Sequence, residues 1–226
     1  MTAPKAITFD CYGTLVEWGA GLHKTLGSIL ACKASGKDVD DFVDRFHQIR
    51  HGETGRSYRP YKTILSVALE KALAEFGLRC EAADRDRLIE GVRAIGPFPE
   101  VPAALLALRK HARIAIISNS DRDLIVHNVK NIGVPIDYVF VAEDARAYKP
   151  SLDLFRHMLR GIGCDPTDVV HVGASMSLDM MPAANLGMRR VWINRLGEHG
   201  DPRWQPYVTL RDLAGLPAII EGLAEL

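Results

Sequence analysis

Lys5-Ala6-Ile7-Thr8-Phe9-Asp10-Cys11-Tyr12-Gly13-Thr14-Leu15 is a short apolar run that stops at an acid, turns on a glycine and offers a hydroxyl one residue later. An extended apolar segment ending in Asp and then Gly sets a carboxylate at the carboxyl end of a strand. In open α/β sheets that rim is where ligands bind. Taken alone, Asp10 serves equally as the cap of a helix or turn.

Downstream the pattern changes. Residues 21–95 carry helical periodicity and little strand signal. His23, Leu26 and Leu30 fall in a first helix. Asp40 to Arg50 forms a second, with Phe42, Phe46 and Ile49 on one face. Tyr61 to Phe76 forms a third, stopping at Gly77, and Ala82 to Ile95 a fourth. Gly96-Pro97-Phe98-Pro99 punctuates the chain. Beyond it strand and helix alternate: strands at Arg113–Ile117, Tyr138–Val141, Val169–Val172 and Arg190–Ile193, and helices at Val101–His111, Asp121–Asn131, Pro150–Gly161 and Leu178–Leu186. That alternation predicts an α/β fold with a parallel sheet covered on both faces. The first strand must join the sheet, because a lone strand is unstable. The expected division is therefore a core of residues 1–16 and 97–226 and a helical cap domain of residues 17–96, inserted after the first strand.

Composition narrows the function. Of 226 residues 47% are apolar and 25% charged, with 28 basic and 28 acidic side chains. A zero formal charge favours neither nucleic acid nor an anionic membrane as partner. No basic flank leads into a long apolar segment, so no secretory signal is expected, and no apolar stretch reaches the ~20 residues of a membrane helix. Cys11, Cys32, Cys80 and Cys164 form no CxxC pair. That spacing argues against a zinc cluster and suits the reducing cytoplasm. Apolar faces on the helical segment leave room for a homodimer.

Parallel strands share a carboxyl rim, and the residues that end them are Asp10, then Ser118-Asn119, then Gly173-Ala174-Ser175, with Lys149 and Asp179 flanking. Singly, Ser118 reads as a helix cap, Lys149 as a loop lysine and Asp179 as a first-turn acid. Together they read as a site. Asp10 is a nucleophile whose attack gives an ester intermediate. Lys149 is the cation that keeps it ionised. Ser118 and Thr14 offer hydroxyls, backbone N–H groups favour an anionic group on the substrate, and Asp179 activates water or holds a metal.

Asp10-Cys11-Tyr12-Gly13-Thr14-Leu15, Ser118-Asn119, Lys149-Pro150 and Gly173 through Asp179 resemble, in order and spacing, the four motifs of the haloacid dehalogenase-like (HAD) hydrolase superfamily. The resemblance implies a Rossmann-like core with a helical cap, Asp10 as nucleophile, and Ser118 and Lys149 as electrostatic support. Phosphatases of the superfamily carry a second acid where this chain has Tyr12, and an acid at Ala174. The Asp-x-Tyr-Gly-Thr form is instead similar to the L-2-haloacid dehalogenase branch, as are Val191-Trp192-Ile193-Asn194-Arg195 and Tyr148-Lys149-Pro150. That branch implies attack by Asp10 on C2 of a small anionic 2-haloalkanoic acid, loss of halide, hydrolysis of the ester and no cofactor. Cys11 and Tyr12 then lie beside the substrate, Cys11 as a buried thiol. Arg45, in Arg45-Phe46-His47-Gln48-Ile49, is the expected cap arginine for the halide, with Arg50 and Arg56 as competitors, and Asn119 completes the halide cradle. This chain departs from the branch at Ala174, Met176 and Phe155, leaving Ser175 and Asp179 to align the hydrolytic water. The alternative is a Mg²⁺-dependent phosphatase of a small metabolite, with Asp10 and Asp179 holding a weak metal site.

Overall fold

The computed structural model describes residues 3–33 and 36–224. Among them a six-stranded parallel sheet forms in the order β3-β2-β1-β4-β5-β6. The strands are β1 (Ala6–Phe9), β2 (Arg113–Ser118), β3 (Tyr138–Val141), β4 (Val169–Gly173), β5 (Arg189–Ile193) and β6 (Val208–Leu210). The inner strands are near-continuous apolar runs, as required where helices cover both faces. Every residue of β1 is buried. After β1 the chain builds outward through β2 and β3, then returns to pair β4 on the other side. The reversal in strand order falls between β1 and β4, the usual position of a ligand crevice in such sheets.

Ten α-helices accompany the sheet among the described residues: α1 (Trp18–Cys32), α2 (Val39–Thr54), α3 (Tyr61–Glu75), α4 (Ala82–Ala94), α5 (Val101–Leu108), α6 (Arg122–Ile132), α7 (Ala142–Ala145), α8 (Leu152–Ile162), α9 (Met181–Asn185) and α10 (Leu216–Ala224). The first four lie between β1 and β2. They bury their own apolar set, including Leu22, Leu26, Ile29, Phe42, Phe46, Ile64, Leu65 and Leu69. The outgoing and returning chains run side by side: Val16 bridges Pro97, Glu17 N donates to Gly96 O at 3.0 Å, and Phe98 N to Leu15 O at 3.0 Å.

Side chains from the sheet half satisfy exposed helix ends in this insert, which fixes how the two parts sit. The N-cap of α3 is Pro60, which has no capping oxygen. Asp121 supplies one from outside, accepting from Tyr61 N at 2.7 Å and Lys62 N at 2.8 Å. Asn128 donates to the carbonyls of Val92 and Ile95 where α4 ends, and Tyr148 OH donates to Arg59 O at 2.7 Å.

Three features differ from the sequence expectation. The helix expected over Leu178–Leu186 is split into a π-turn over Met176–Met180 and the short α9. Pro182 has no N–H to continue the α-helical ladder, and the N–H groups of Asp179 and Met180 both reach back to Ser175 O. The helix after Phe98 stops at Leu108, short of His111. The strand β6 and the helices α7 and α10 were not anticipated.

Candidate active site

Asp10 continues the β1 ladder by one bond, its N–H donating to Val172 O at 2.9 Å, and the strand then breaks. The turn that follows is folded onto the Cys11 carbonyl, which accepts from Leu15 N at 2.8 Å and Val16 N at 3.1 Å. Gly13 occupies φ +88°, a conformation that favours glycine. This turn carries Thr14 back over the strand end. Its hydroxyl donates to Asp10 Oδ2 at 2.7 Å and accepts from Ala174 N at 2.9 Å.

Lys149 takes the other oxygen. Its Nζ donates to Asp10 Oδ1 at 2.7 Å and to Asp179 Oδ1 at 2.6 Å, with the side chain 1% exposed. Asn119 holds the lysine in register, its Oδ1 accepting from Lys149 N at 2.6 Å and its Nδ2 donating to Lys149 O at 3.1 Å. Its amide is therefore mostly committed to positioning Lys149, leaving one N–H. Asp179 is wholly buried and accepts two further contacts: Ser175 N donates to Oδ2 at 3.0 Å, and His171 Nε2 lies 3.4 Å from Oδ1. His171 is set by Thr8, 163 residues away, whose hydroxyl pairs with Nδ1 at 2.9 Å. Asp179 packs against Gly173 so closely that a Cβ there would meet its carboxyl group.

The electrostatics separate the two acids. Burial raises the Asp10 pKa above the usual carboxylate value, with Lys149 and Thr14 pulling against it. Asp179 is also penalised by burial, but the Lys149 ammonium and His171 outweigh that and lower its pKa to about 2. For Lys149 burial disfavours the charge, and the two carboxylates overcome it and push the pKa well up.

A cavity of about 770 Å³ opens above Asp10. Tyr12, Asn119, Lys149, Ser175 and Asp179 lie on its wall, so the structure brings these expected residues together. Ser175 Oγ accepts from Leu178 N at 3.1 Å and caps the π-turn. Met176 also lines the cavity, whereas Phe155 is buried edge-on against His171. Tyr12 packs on Trp18 with ring centroids 4.5 Å apart, and its hydroxyl donates to Asn128 Oδ1 at 3.1 Å beside Ser120 Oγ. Burial pushes its pKa well up.

Three expected positions differ. Cys11 is buried in the core and off the cavity wall, with its thiol pKa raised by burial, so it does not face substrate. Ser118 is buried at the end of β2, also off the wall, and among the described residues nothing hydrogen-bonds its Oγ. Arg45 points away from the site, paired with Glu75 of α3 and donating to Gln48 Oε1 at 3.0 Å. Its α2 neighbour Arg50 lines the cavity instead. Arg50 donates to Tyr61 OH at 3.1 Å and lies 5.6 Å over the Trp18 ring. The reason is helical phase: at about 100° per residue, Arg45 is roughly 140° from Arg50. Arg56 turns to Glu53, 3.7 Å away.

The sequence reading missed His47 and His51, which flank Arg50 on the same face at 3.4 and 3.1 Å and line the cavity. Burial first, then Arg50 and His51, lower the His47 pKa to about 4. It also missed the far wall, where Leu196, Glu198, Asp201, Arg203 and Trp204 follow β5. The i, i+3, i+4 spacing of His47, Arg50 and His51 was the available signal for the first group. The loop carried none.

Residues 4–187 match the family model for haloacid dehalogenase-like hydrolases. Haloacetate dehalogenase H-2 of Moraxella sp. (strain B) is 30% identical over 85% of this chain and 87% of its own length. The (S)-2-haloacid dehalogenase of Pseudomonas sp. (strain YL) is 27% identical over 98% of this chain and 97% of its own. The crystal structure of the L-2-haloacid dehalogenase from Xanthobacter autotrophicus with chloropropionic acid covalently bound shares the fold, with TM-score 0.85 at 20% identity, covering 99% of this chain and all of the other. The aspartate that ends the central strand, the lysine between two buried acids and the match along four-fifths of the sequence lead to one conclusion: this chain belongs to the haloacid dehalogenase-like hydrolase family.

Proposed function

We propose that the protein is a cofactor-independent hydrolase that displaces halide from C2 of small 2-haloalkanoic acids. Asp10 attacks C2 as the carbon–halogen bond breaks, and the halide leaves with the bonding pair. The product is an ester between Asp10 and C2. Water then adds to the Asp10 carboxyl carbon, the 2-hydroxy acid departs, and Asp10 is restored with one proton released. The first step inverts C2 and the second does not touch it, so configuration is inverted overall.

The observation that carries this reading is Tyr12. An oxygen leaving group needs a proton, and the residue two beyond the nucleophile is the place to supply it. The Tyr12 proton is committed to Asn128 and its pKa is raised. A leaving group that needs no proton fits such a site, and halide is one. The donor set also fits poorly with Mg²⁺: Asp10 and Asp179 are both bonded to the Lys149 ammonium, and among the described residues no three His, Cys, Asp or Glu side chains gather as a metal would require.

The remaining roles follow from position. Lys149 and Thr14 each hold one Asp10 oxygen, so whichever forms the ester, the other keeps a donor when charge develops on it during hydrolysis. Asp179 is the carboxylate that remains beside the ester to draw a proton from water. Arg50, with the free N–H of Asn119, receives the halide. The backbone at the start of the turn after Asp10 faces the substrate carboxylate, while Ser118, off the cavity wall, stays in the core at the end of β2. Residues 17–96 act as a cap domain that closes this space over a core of residues 1–16 and 97–226. The cysteines are all free among the described residues, which supports a reducing, cytoplasmic setting.

Single-turnover reaction with 2-chloropropanoate in ¹⁸O-water, without metal and with chelator present, tests this. The expected result is chloride release with the label recovered in the peptide containing Asp10. Label only in the product, or turnover of p-nitrophenyl phosphate with Mg²⁺ in place of chloride release, overturns it.

A further inference from the structure

Next to the cavity over Asp10 lies a second opening of about 460 Å³. The two adjoin: Trp18, His47, Ala174, Leu196 and Glu198 line both. The main cavity alone falls in the ~300–1,000 Å³ range that holds drug-sized ligands, far more room than a haloacetate needs. The second opening runs between the start of α1 and the loop after β5. Its base is Phe98, with the Arg195 guanidinium 3.5 Å from the ring centroid.

Small residues hold it open. Gly13 and Gly19 lie on its wall, and a Cβ at either would meet nothing within 4 Å. At the junction with the main cavity stands Ala174, beside Trp18. Leu196 projects there with 84% of its surface exposed, the largest exposure of a big apolar side chain among the described residues. An apolar side chain left in water beside a Trp-lined groove is a surface that gains from being covered.

Charge decides what covers it. Glu17 and Glu198 line the groove and disfavour a second anion. The cation there, Arg195, is already engaged by Glu100 at 2.7 Å and by Thr14 O at 2.8 Å. The occupant is therefore apolar and enters from the side of Asp10.

Resting on the reaction assigned above, we propose that this groove is an acyl-chain site. The favoured substrates are 2-haloalkanoic acids whose apolar chain at C2 extends past Ala174 and lies between Trp18 and Leu196. Each methylene buried there raises kcat/KM by about 2- to 4-fold until the chain leaves the groove.

The test compares bromoacetate, 2-bromopropanoate, 2-bromohexanoate and 2-bromooctanoate, and separately measures binding of propanoate and octanoate by calorimetry, which needs no turnover. Gly19→Leu and Ala20→Leu fill the groove from exposed helix positions and keep good helix formers there. In the wild type kcat/KM climbs along the series and octanoate binds at least about tenfold tighter than propanoate. In both variants that gain disappears, while 2-bromopropanoate turnover stays within about twofold. Octanoate binding no tighter than propanoate, or a chain-length gain that survives both substitutions, overturns the groove. Tight octanoate binding with no halide release from any acid leaves the groove standing and removes the dehalogenase assignment. Halide release that is flat along the series does the reverse.

Discussion

Replacing Lys149 with methionine keeps most of the side-chain volume and removes the charge that two buried acids share. Asp10 and Asp179 are then left facing one another with no cation between them, at 8% and 0% exposure. Breaking a buried ion pair by deleting one partner costs about 3–5 kcal/mol. Proton linkage gives the same sign and adds a pH dependence. Two adjacent carboxylates cannot both stay ionised, so one, Asp10 by its environment, takes up a proton and its folded-state pKa rises. A raised carboxyl pKa gives stability that is present below the unfolded value near ~4 and lost as pH climbs through the folded one. One proton corresponds to about 1.4 kcal/mol per pH unit between the unfolded value and the raised folded one, so the cost grows through that window and is larger at pH 8 than at pH 5.

For a chain of this length the ~4 kcal/mol at the middle of the ion-pair range is a loss of roughly 8–16 °C in melting temperature. The assay is urea unfolding of wild type and Lys149→Met at pH 5 and pH 8, with halide release alongside. The expected result is a deficit of about 3–5 kcal/mol at pH 8 that shrinks markedly at pH 5, and turnover at least about a hundredfold lower at pH 8. A variant as stable as wild type at pH 8, or a deficit that does not shrink in acid, refutes the reasoning that Lys149 is held by, and holds, two ionised acids.

Arg45→Ala is expected to leave kcat/KM within about twofold, whereas Arg50→Ala lowers it about 10- to 100-fold, the worth of a hydrogen bond to a charged group; equal effects would contradict the placement of the two arginines. Gly173→Ala forces a methyl against the Asp179 carboxyl and should cost about 1–3 kcal/mol by calorimetry together with most of the activity. Because burial raises the Asp10 pKa and only the ionised form attacks, the acid limb of kcat/KM should lie above the ~4 of an ordinary carboxyl, and a limb at or below that value would exclude the assignment. His47 is neutral in the fold down to about pH 4 while the unfolded chain takes up its proton near ~6.5. Stability should therefore fall as pH drops through that window, and His47→Gln should flatten the profile measured by urea unfolding at pH 7 and pH 5.

Residues at the ends of short apolar runs were legible because a strand terminus is a local event: Asp10, Ser118 and Gly173 each stand where a buried run stops. Lys149 and Asp179 were legible through order along the chain. What the sequence hid depends on direction or distance. Periodicity groups Phe42, Phe46 and Ile49 on one face of α2, but it does not say which flank of that face meets the nucleophile, so Arg45 and Arg50 were indistinguishable until the helix was docked. His171 sits in an apolar run that reads as any buried strand, and its partner Thr8 is 163 residues away. The strand β6 spans three residues, Val208–Leu210, too few to show alternation. The Asp121 cap on α3 is invisible for the same reason as His171: the acid and the N–H groups it satisfies lie 60 and 59 residues apart.

Two acids flank one lysine, and the fold assigns them different work by what else touches them. Asp179 accepts from Lys149, His171 and the Ser175 N–H, and is wholly buried. It takes two donors on Oδ1 and one on Oδ2, it has no exposed surface from which to reach carbon, and a pKa of about 2 keeps it ionised, with the second Oδ2 lone pair left for the hydrolytic water. Asp10 has one donor per oxygen and a raised pKa, and it retains the exposure that the cavity above it gives. A carboxylate that is less stabilised and still open on one side is the better nucleophile. Once Asp10 is esterified its charge is gone, and Lys149 faces Asp179 alone as a neutral pair. The lysine that first held the nucleophile ionised is then positioned to stabilise the oxyanion that hydrolysis creates, so one buried cation serves both half-reactions without moving.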